Sequence, residues 1–207
     1  IYKLDLLNRQ KLSRELNIPQ TGKIGIVTYH PVTLEKSTSE YQCVELLKGL
    51  KAFPDIYWIF TMSNADTGGR IIIEKIEAFF DENPERGKAF TSLGTLRYLS
   101  LLKNSNVMVG NSSSGLIEAP SFELPVVNIG DRQRGRVRAK NLIDVQECNE
   151  ESIKDAIRKA TSNVFRESLN GMENPYGSGD SSEKIVDRLK LLRLDGNIIK
   201  KRFYDIN

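Results

Sequence analysis

From residue 23 onward, short runs rich in β-branched and aromatic residues alternate with longer amphipathic stretches, and this alternation narrows the fold more than any other feature of the sequence. The period-2 runs predict strands over residues 23–30 (KIGIVTYH), 56–61 (IYWIFT), 88–90, 107–110 (VMVG), 125–130 (PVVNIG) and 141–145 (NLIDV). Between and after them, spacings of three and four predict helices over residues 39–52, 70–80, 96–105, 115–122, 150–160 and 183–194. Roughly six strand-helix repeats of this kind specify an α/β fold, a Rossmann-like doubly wound parallel sheet. Residues 174–182 (NPYGSGDSS), a cluster of Gly, Pro and Ser, read as loop.

The domain expectation follows from the same pass. Residues 1–22 read as a linker helix entered midway, from a preceding N-terminal domain missing here, so the sequence reads as a fragment. Residues 23–194 form the Rossmann-like domain, and 195–207 a C-terminal tail. On the last helix Ile185, Leu189 and Leu192 fall on one face, a stripe expected to pack against more than its own domain, with ordinary packing on the Rossmann core as the alternative, and residues after about Leu194 are expected to be displaced, mobile or used in a dimer contact.

Composition removes several function classes. At 207 residues and 39% hydrophobic, the chain can bury a substantial core, which argues against disorder. Thirty basic against 27 acidic residues leave +3, too balanced to imply nucleic acid. No apolar run reaches the roughly 18 residues of a membrane span, and no signal peptide is evident, so a cytoplasmic protein without a membrane partner is expected. Cys43 and Cys148 stand far apart with no CxxC spacing, which supports neither a metal site nor a disulfide framework.

In a doubly wound sheet ligands gather at the carboxyl ends of the strands, so the residues just after each strand carry the argument. Ser112, Ser113 and Ser114 follow a buried strand and open a helix, where hydroxyls and unpaired N–H groups can hold a phosphate; an ordinary N-cap with polar neighbours reads the same way. Glu118 lies in the first turns of that helix among apolar neighbours. It can accept two hydrogen bonds from a ribose diol, or merely suit the helix dipole. His30, the single histidine, ends the first strand before Pro31, where it can donate to a phosphate oxygen or protonate a departing one; a structural histidine is the alternative.

The other candidates are weaker on sequence grounds. Arg132, with Arg134, Arg136 and Arg138, suits a diphosphate or a sugar, although such a run also suits a solvated loop. Asn64 follows the second strand in a segment equally typical of a turn, and Tyr98 can stack on a base or pack in the core.

Four motifs in order give these residues a common reading: YHPVT at 29–33, GNSSSGLIEAPSF at 110–122, NIGDRQRGR at 128–136 and NPYGSGDSSEKI at 174–185. With them the chain resembles the C-terminal half of the hydrolysing UDP-N-acetylglucosamine 2-epimerases of sialic acid and related nonulosonic acid synthesis, including the epimerase half of the animal bifunctional enzyme. The resemblance implies the C-terminal domain of a two-domain GT-B-type enzyme that binds UDP or a UDP-sugar across a cleft. It implies His30 at the diphosphate and as a catalytic group, Ser112, Ser113 and Ser114 at the phosphates, Glu118 at the ribose, and Asn64, Tyr98 and Arg132 at further nucleotide positions.

In non-hydrolysing relatives glycines stand in place of Ser113 and Ser114, so the serines and the NIGDRQ segment favour the hydrolysing branch. The implied reaction removes UDP by anti elimination and adds water to leave a free N-acetylmannosamine-type sugar. Its acid and base carboxylates belong to the N-terminal domain, so this chain is expected to be inactive alone, with no cofactor and no metal. A homo-oligomer is left open. A non-hydrolysing epimerase half, a GT-B glycosyltransferase domain and a plain binding module share the ribose-binding logic and differ in product, in need of an acceptor, or in lacking turnover.

Overall fold

Strand β1 (Lys23–Thr28) is the organiser of the sheet, because it pairs in parallel with β2 (Ile56–Thr61) on one side and β4 (Val107–Gly110) on the other. The computed structural model describes residues 1–31, 39–62 and 69–192. With β3 (Gly87–Phe90), β5 (Val126–Ile129) and β6 (Leu142–Val145), the strands form one six-stranded sheet in the order β3-β2-β1-β4-β5-β6, every pair parallel. The chain moves outward from β1 through β2 to β3, then returns to place β4 on the opposite side of β1. That reversal opens a crevice beyond the carboxyl ends of β1 and β4.

Helices cover both faces, as parallel strands require. On one face α2 (Ser39–Lys51), α3 (Gly69–Glu82) and α6 (Glu150–Thr161) bury Leu46, Leu50, Ile72, Phe79, Ile153 and Ile157 against Val27, Phe60 and Val109. On the other, α1 (Arg9–Leu16) and α4 (Gly94–Asn104) set Leu12, Leu16, Leu99 and Leu102 against Ile24, Ile26 and Met108. Residues 1–22, expected as a linker helix, thus contribute core side chains. Caps fix where two of these helices start: Asn8 accepts from Lys11 N and Asn149 from Ser152 N, each using an otherwise unpaired N–H.

Three departures from the sequence expectation have local causes. The helix expected over 115–122 is one turn, α5 (Ser114–Ile117), followed after Glu118 by a 3-10 turn (Ala119–Phe122), because Pro120 has no N–H to continue the α ladder. The 12-residue connection from β5 to β6 carries no helix, so not every repeat is complete. A short α7 (Asn163–Ser168), capped by Ser162, was not expected.

Helix α8 (Ser181–Lys190) buries no residue, and Ile185 and Leu189 on its apolar stripe are each 58% exposed. The tail over 195–207 lies outside the described residues. No helix among the described residues is long and apolar enough to cross a membrane.

One close approach sets the register of β1 on β2. Gly25 faces Trp58, whose ring is fully buried, and a Cβ at Gly25 would stand 2.1 Å from Trp58 Cζ3. Gly25→Ala should therefore destabilise the chain by about 1–3 kcal/mol through overpacking. Urea unfolding with an unchanged midpoint would show that Trp58 moves aside at no cost.

Candidate functional site

The crevice is built on one glycine and one asparagine. Gly110 ends β4 at φ +135°, where an added Cβ would lie 2.0 Å from Thr28 O, so this end of the β1–β4 pair closes only without a side chain. Asn111 follows, 1% exposed, and its N–H continues the ladder to Thr28 O at 3.1 Å. Its side chain then grips the backbone of His30 twice: His30 N donates to Asn111 Oδ1 and Asn111 Nδ2 donates to His30 O, both at 2.8 Å. The carbonyl of Asn111 accepts from Arg132 at 3.1 Å and from the buried Gln133 amide at 2.7 Å. One residue therefore fixes the loops after β1, β4 and β5 relative to one another.

The serines come next. Ser112 Oγ accepts from Ser114 N at 3.3 Å, whereas the N–H groups of Ser112 and Ser113 donate to no acceptor among the described residues. Both residues are half-buried, so two adjacent N–H donors and the Ser113 hydroxyl stay available to an anion. Ser114 is buried and accepts a 2.6 Å hydrogen bond from Tyr98 OH. Burial pushes the Tyr98 phenol up to about 12, Ser114 pulls the other way, and the charge of Glu118 raises it further. The phenol is thus a neutral donor near neutral pH, and its ring packs with the α1–α4 core. Tyr98 meets the serine segment through Ser114.

Glu118 sits half-buried at the junction of α5 and the 3-10 turn. Its carboxylate has no hydrogen bond or ion pair among the described residues, although its own N–H is tied to Ser114 O at 3.0 Å. A half-buried carboxylate without a partner is costly unless a ligand supplies donors.

The four arginines divide. Arg132 joins Asn111, Arg138 pairs with Asp144, and Arg134 and Arg136 are exposed with no ion pair among the described residues. Asn64 lies outside the described residues, as does Thr33 of the first motif. Among the described residues no group of His, Cys, Asp and Glu could hold a metal ion.

The fourth motif acts as a brace. Asn174 Nδ2 donates to Ile117 O at 2.8 Å and to Ser121 Oγ at 2.7 Å, holding the turn that carries Glu118. Tyr176 OH donates to Val137 O at 3.0 Å and pins the arginine loop. Sequence reasoning singled out neither Asn111, Gln133 nor Asn174, because their partners lie 21 to 81 residues away. Their only signal was a position inside the motifs.

On the α2 side of the β4 end, a cavity of about 660 Å³ is lined by Asn111, Gly130, Asp131, Arg134, Gln146 and neighbours. Neither cysteine forms a disulfide with the other, and burial pushes the Cys43 thiol up to about 12, which disfavours the nucleophilic thiolate.

Comparison with known proteins places these features in a family context. Residues 2–190 match the UDP-N-acetylglucosamine 2-epimerase family. The chain is 38% identical over 207 residues to a Campylobacter jejuni protein described as a GDP/UDP-N,N'-diacetylbacillosamine 2-epimerase (hydrolyzing), covering all of this chain and 53% of that one. It is 37% identical over 183 residues to a Legionella pneumophila UDP-N,N'-diacetylbacillosamine 2-epimerase (hydrolyzing), covering 86% of this chain and 45% of that one. The chain spans about half the length of the curated relatives it matches. Among solved structures, S. aureus MnaA in a co-structure with UDP superposes with a TM-score of 0.68 at 20% identity, over 100% of this chain and 54% of that one, which shows the shared fold.

Truncation of the central asparagine tests the geometry. Asn111→Ala strips both partners from the part-buried backbone of His30, so the chain should lose about 1–3 kcal/mol of stability. Chemical denaturation reads this directly, and a stability equal to wild type would mean that water replaces the side chain at no cost.

Proposed function

The chain belongs to the UDP-N-acetylglucosamine 2-epimerase family, and we propose that it is the nucleotide-binding half of a hydrolysing enzyme that converts a UDP-N-acetylhexosamine to UDP and a free, C2-inverted amino sugar. The observation that carries this reading is the pairing of two unfilled needs at one strand end. Among the described residues, the N–H groups of Ser112 and Ser113 lack acceptors and the Glu118 carboxylate lacks donors. A nucleoside diphosphate supplies both, with phosphate oxygens on the N–H pair and ribose hydroxyls on the carboxylate. The hydrolysing branch is favoured by the serine pair and by relatives in Campylobacter jejuni and Legionella pneumophila described as hydrolyzing.

Chemically, elimination needs a base to take the C2 proton while the C1–O bond breaks and its electron pair leaves with UDP. Water then adds across the double bond, its hydroxyl to C1 and a proton to C2 from the other face. His30, held by its backbone beside the serines, is the group proposed to hydrogen-bond the diphosphate and protonate the departing oxygen. Arg132, Asn64 and Tyr98 complete the proposed nucleotide site. The carboxylates that move the C2 proton are assigned to a further domain, packed against the exposed stripe of α8, and the setting to cytoplasmic amino-sugar synthesis.

Two outcomes test this. The 207-residue chain should release no free sugar from UDP-N-acetylglucosamine; adding the N-terminal half should restore release, and Leu189→Asp should block that restoration without altering UDP binding. Turnover by the chain alone would refute the division of labour.

Glu118→Ala should weaken UDP binding by about tenfold or more, since a charged acceptor of two hydrogen bonds is worth about 1.5–3 kcal/mol. Calorimetry with UDP and its 2′,3′-dideoxy analogue is diagnostic: wild type should prefer UDP and Glu118→Ala should not. Equal preference in both proteins would remove Glu118 from the ribose.

A further inference from the structure

The Glu118 carboxylate stands on a support too short to hold it alone. Helix α5 is one turn long, and the 3-10 turn after it relies on i→i+3 hydrogen bonds, whose geometry is poorer than that of an α ladder. Pro120, inside that turn, has no N–H to contribute. Glu118 is tied locally by its own N–H to Ser114 O and by Ser121 N to Glu118 O, both at 3.0 Å. Hydrogen bonds weaken steeply when misaligned, so a carboxylate that must accept from two neighbouring hydroxyls needs its turn fixed from outside.

Two distant segments do this, and both reach Ser121. Asn174 Nδ2 donates to Ile117 O, one residue before Glu118, and to Ser121 Oγ, three residues after it. Tyr2 OH donates to the same Ser121 Oγ at 3.1 Å from the far end of the chain. The Tyr2 ring rests on Gly179, which has φ +94° and where an added Cβ would lie 2.5 Å from Tyr2 Cδ2. One face of that ring is thus seated in the loop that also carries Asn174.

The segment bearing Tyr2 is itself anchored. Ile1, Leu6 and Leu7 pack against the core on the α4 side, Leu7 N donates to Ser100 Oγ at 2.9 Å, and Asn104 Nδ2 donates to Leu7 O at 3.1 Å. Lys3 pairs with Glu183 in the first turn of α8 at 2.5 Å, although both side chains are largely exposed and such a pair is weak. Residues 1–7 therefore form a strap from α4 to the turn that carries Glu118.

We propose that Tyr2 is a positioning residue for Glu118, acting through Ser121 to hold the carboxylate where it meets the ribose diol of a nucleotide. This rests on the reading of Glu118 given above. The Tyr2 hydrogen bond is neutral and exposed, so its loss changes overall stability little and shows instead in how well the ribose is gripped.

Calorimetry of the 207-residue chain with UDP and its 2′,3′-dideoxy analogue reads that grip. Tyr2→Phe keeps the ring on Gly179 and deletes only the donor; it should weaken UDP by about threefold and leave the dideoxy analogue within about 1.5-fold. In a Ser121→Ala background the same change should alter neither affinity, because its acceptor is already gone. Unchanged UDP affinity in Tyr2→Phe, equal weakening of both ligands, or a loss that persists in Ser121→Ala would each overturn the positioning role while leaving Glu118 at the ribose. If wild type itself shows no preference for UDP over the analogue, the ribose assignment of Glu118 falls first and takes the role of Tyr2 with it.

Discussion

The ligand end of this molecule depends on how closely β1 and β4 approach. Their parallel pairing is ordinary until the last residue, where Gly110 comes so near Thr28 that no Cβ fits. Beyond that point the strands diverge, and backbone groups that a neighbouring strand would have satisfied need other partners. Asn111 supplies them with its side chain, and its carbonyl collects Arg132 and Gln133. The crevice is thus held open by hydrogen bonds that lock its walls.

That arrangement explains which features could be read in advance. Strands β2 and β4 coincide with the expected residues, because each is a β-branched or aromatic run with clear boundaries. Strand β1 stops at Thr28, two residues early, since the backbone of His30 is diverted to Asn111. The serines, Glu118, Arg132 and His30 could be singled out as candidates because a strand end followed by a polar residue is a local pattern. Asn111, Asn174 and Tyr176 were not, since each acts on a backbone far along the chain and nothing local distinguishes them from turn residues. The early end of α5 was written in Pro120, and the helical pattern of its neighbours concealed it.

Electrostatically, the two sides of the crevice differ. On the α4 side a neutral phenol, a buried serine and a carboxylate without a partner among the described residues form a small acidic corner. On the α2 side charges of both signs balance.

The pairing of Asp144 with Arg138 and Asn128 also bears on how the sheet ends. Among the described residues strand β6 has β5 on one side and no strand on the other. Four residues long, with a fixed carboxylate in its middle, it offers an incoming strand little length to zip along and a charge to bury. The side chains that shape the cavity therefore also shape the border of the sheet, where a short strand carrying an ion pair gives an incoming strand little to join.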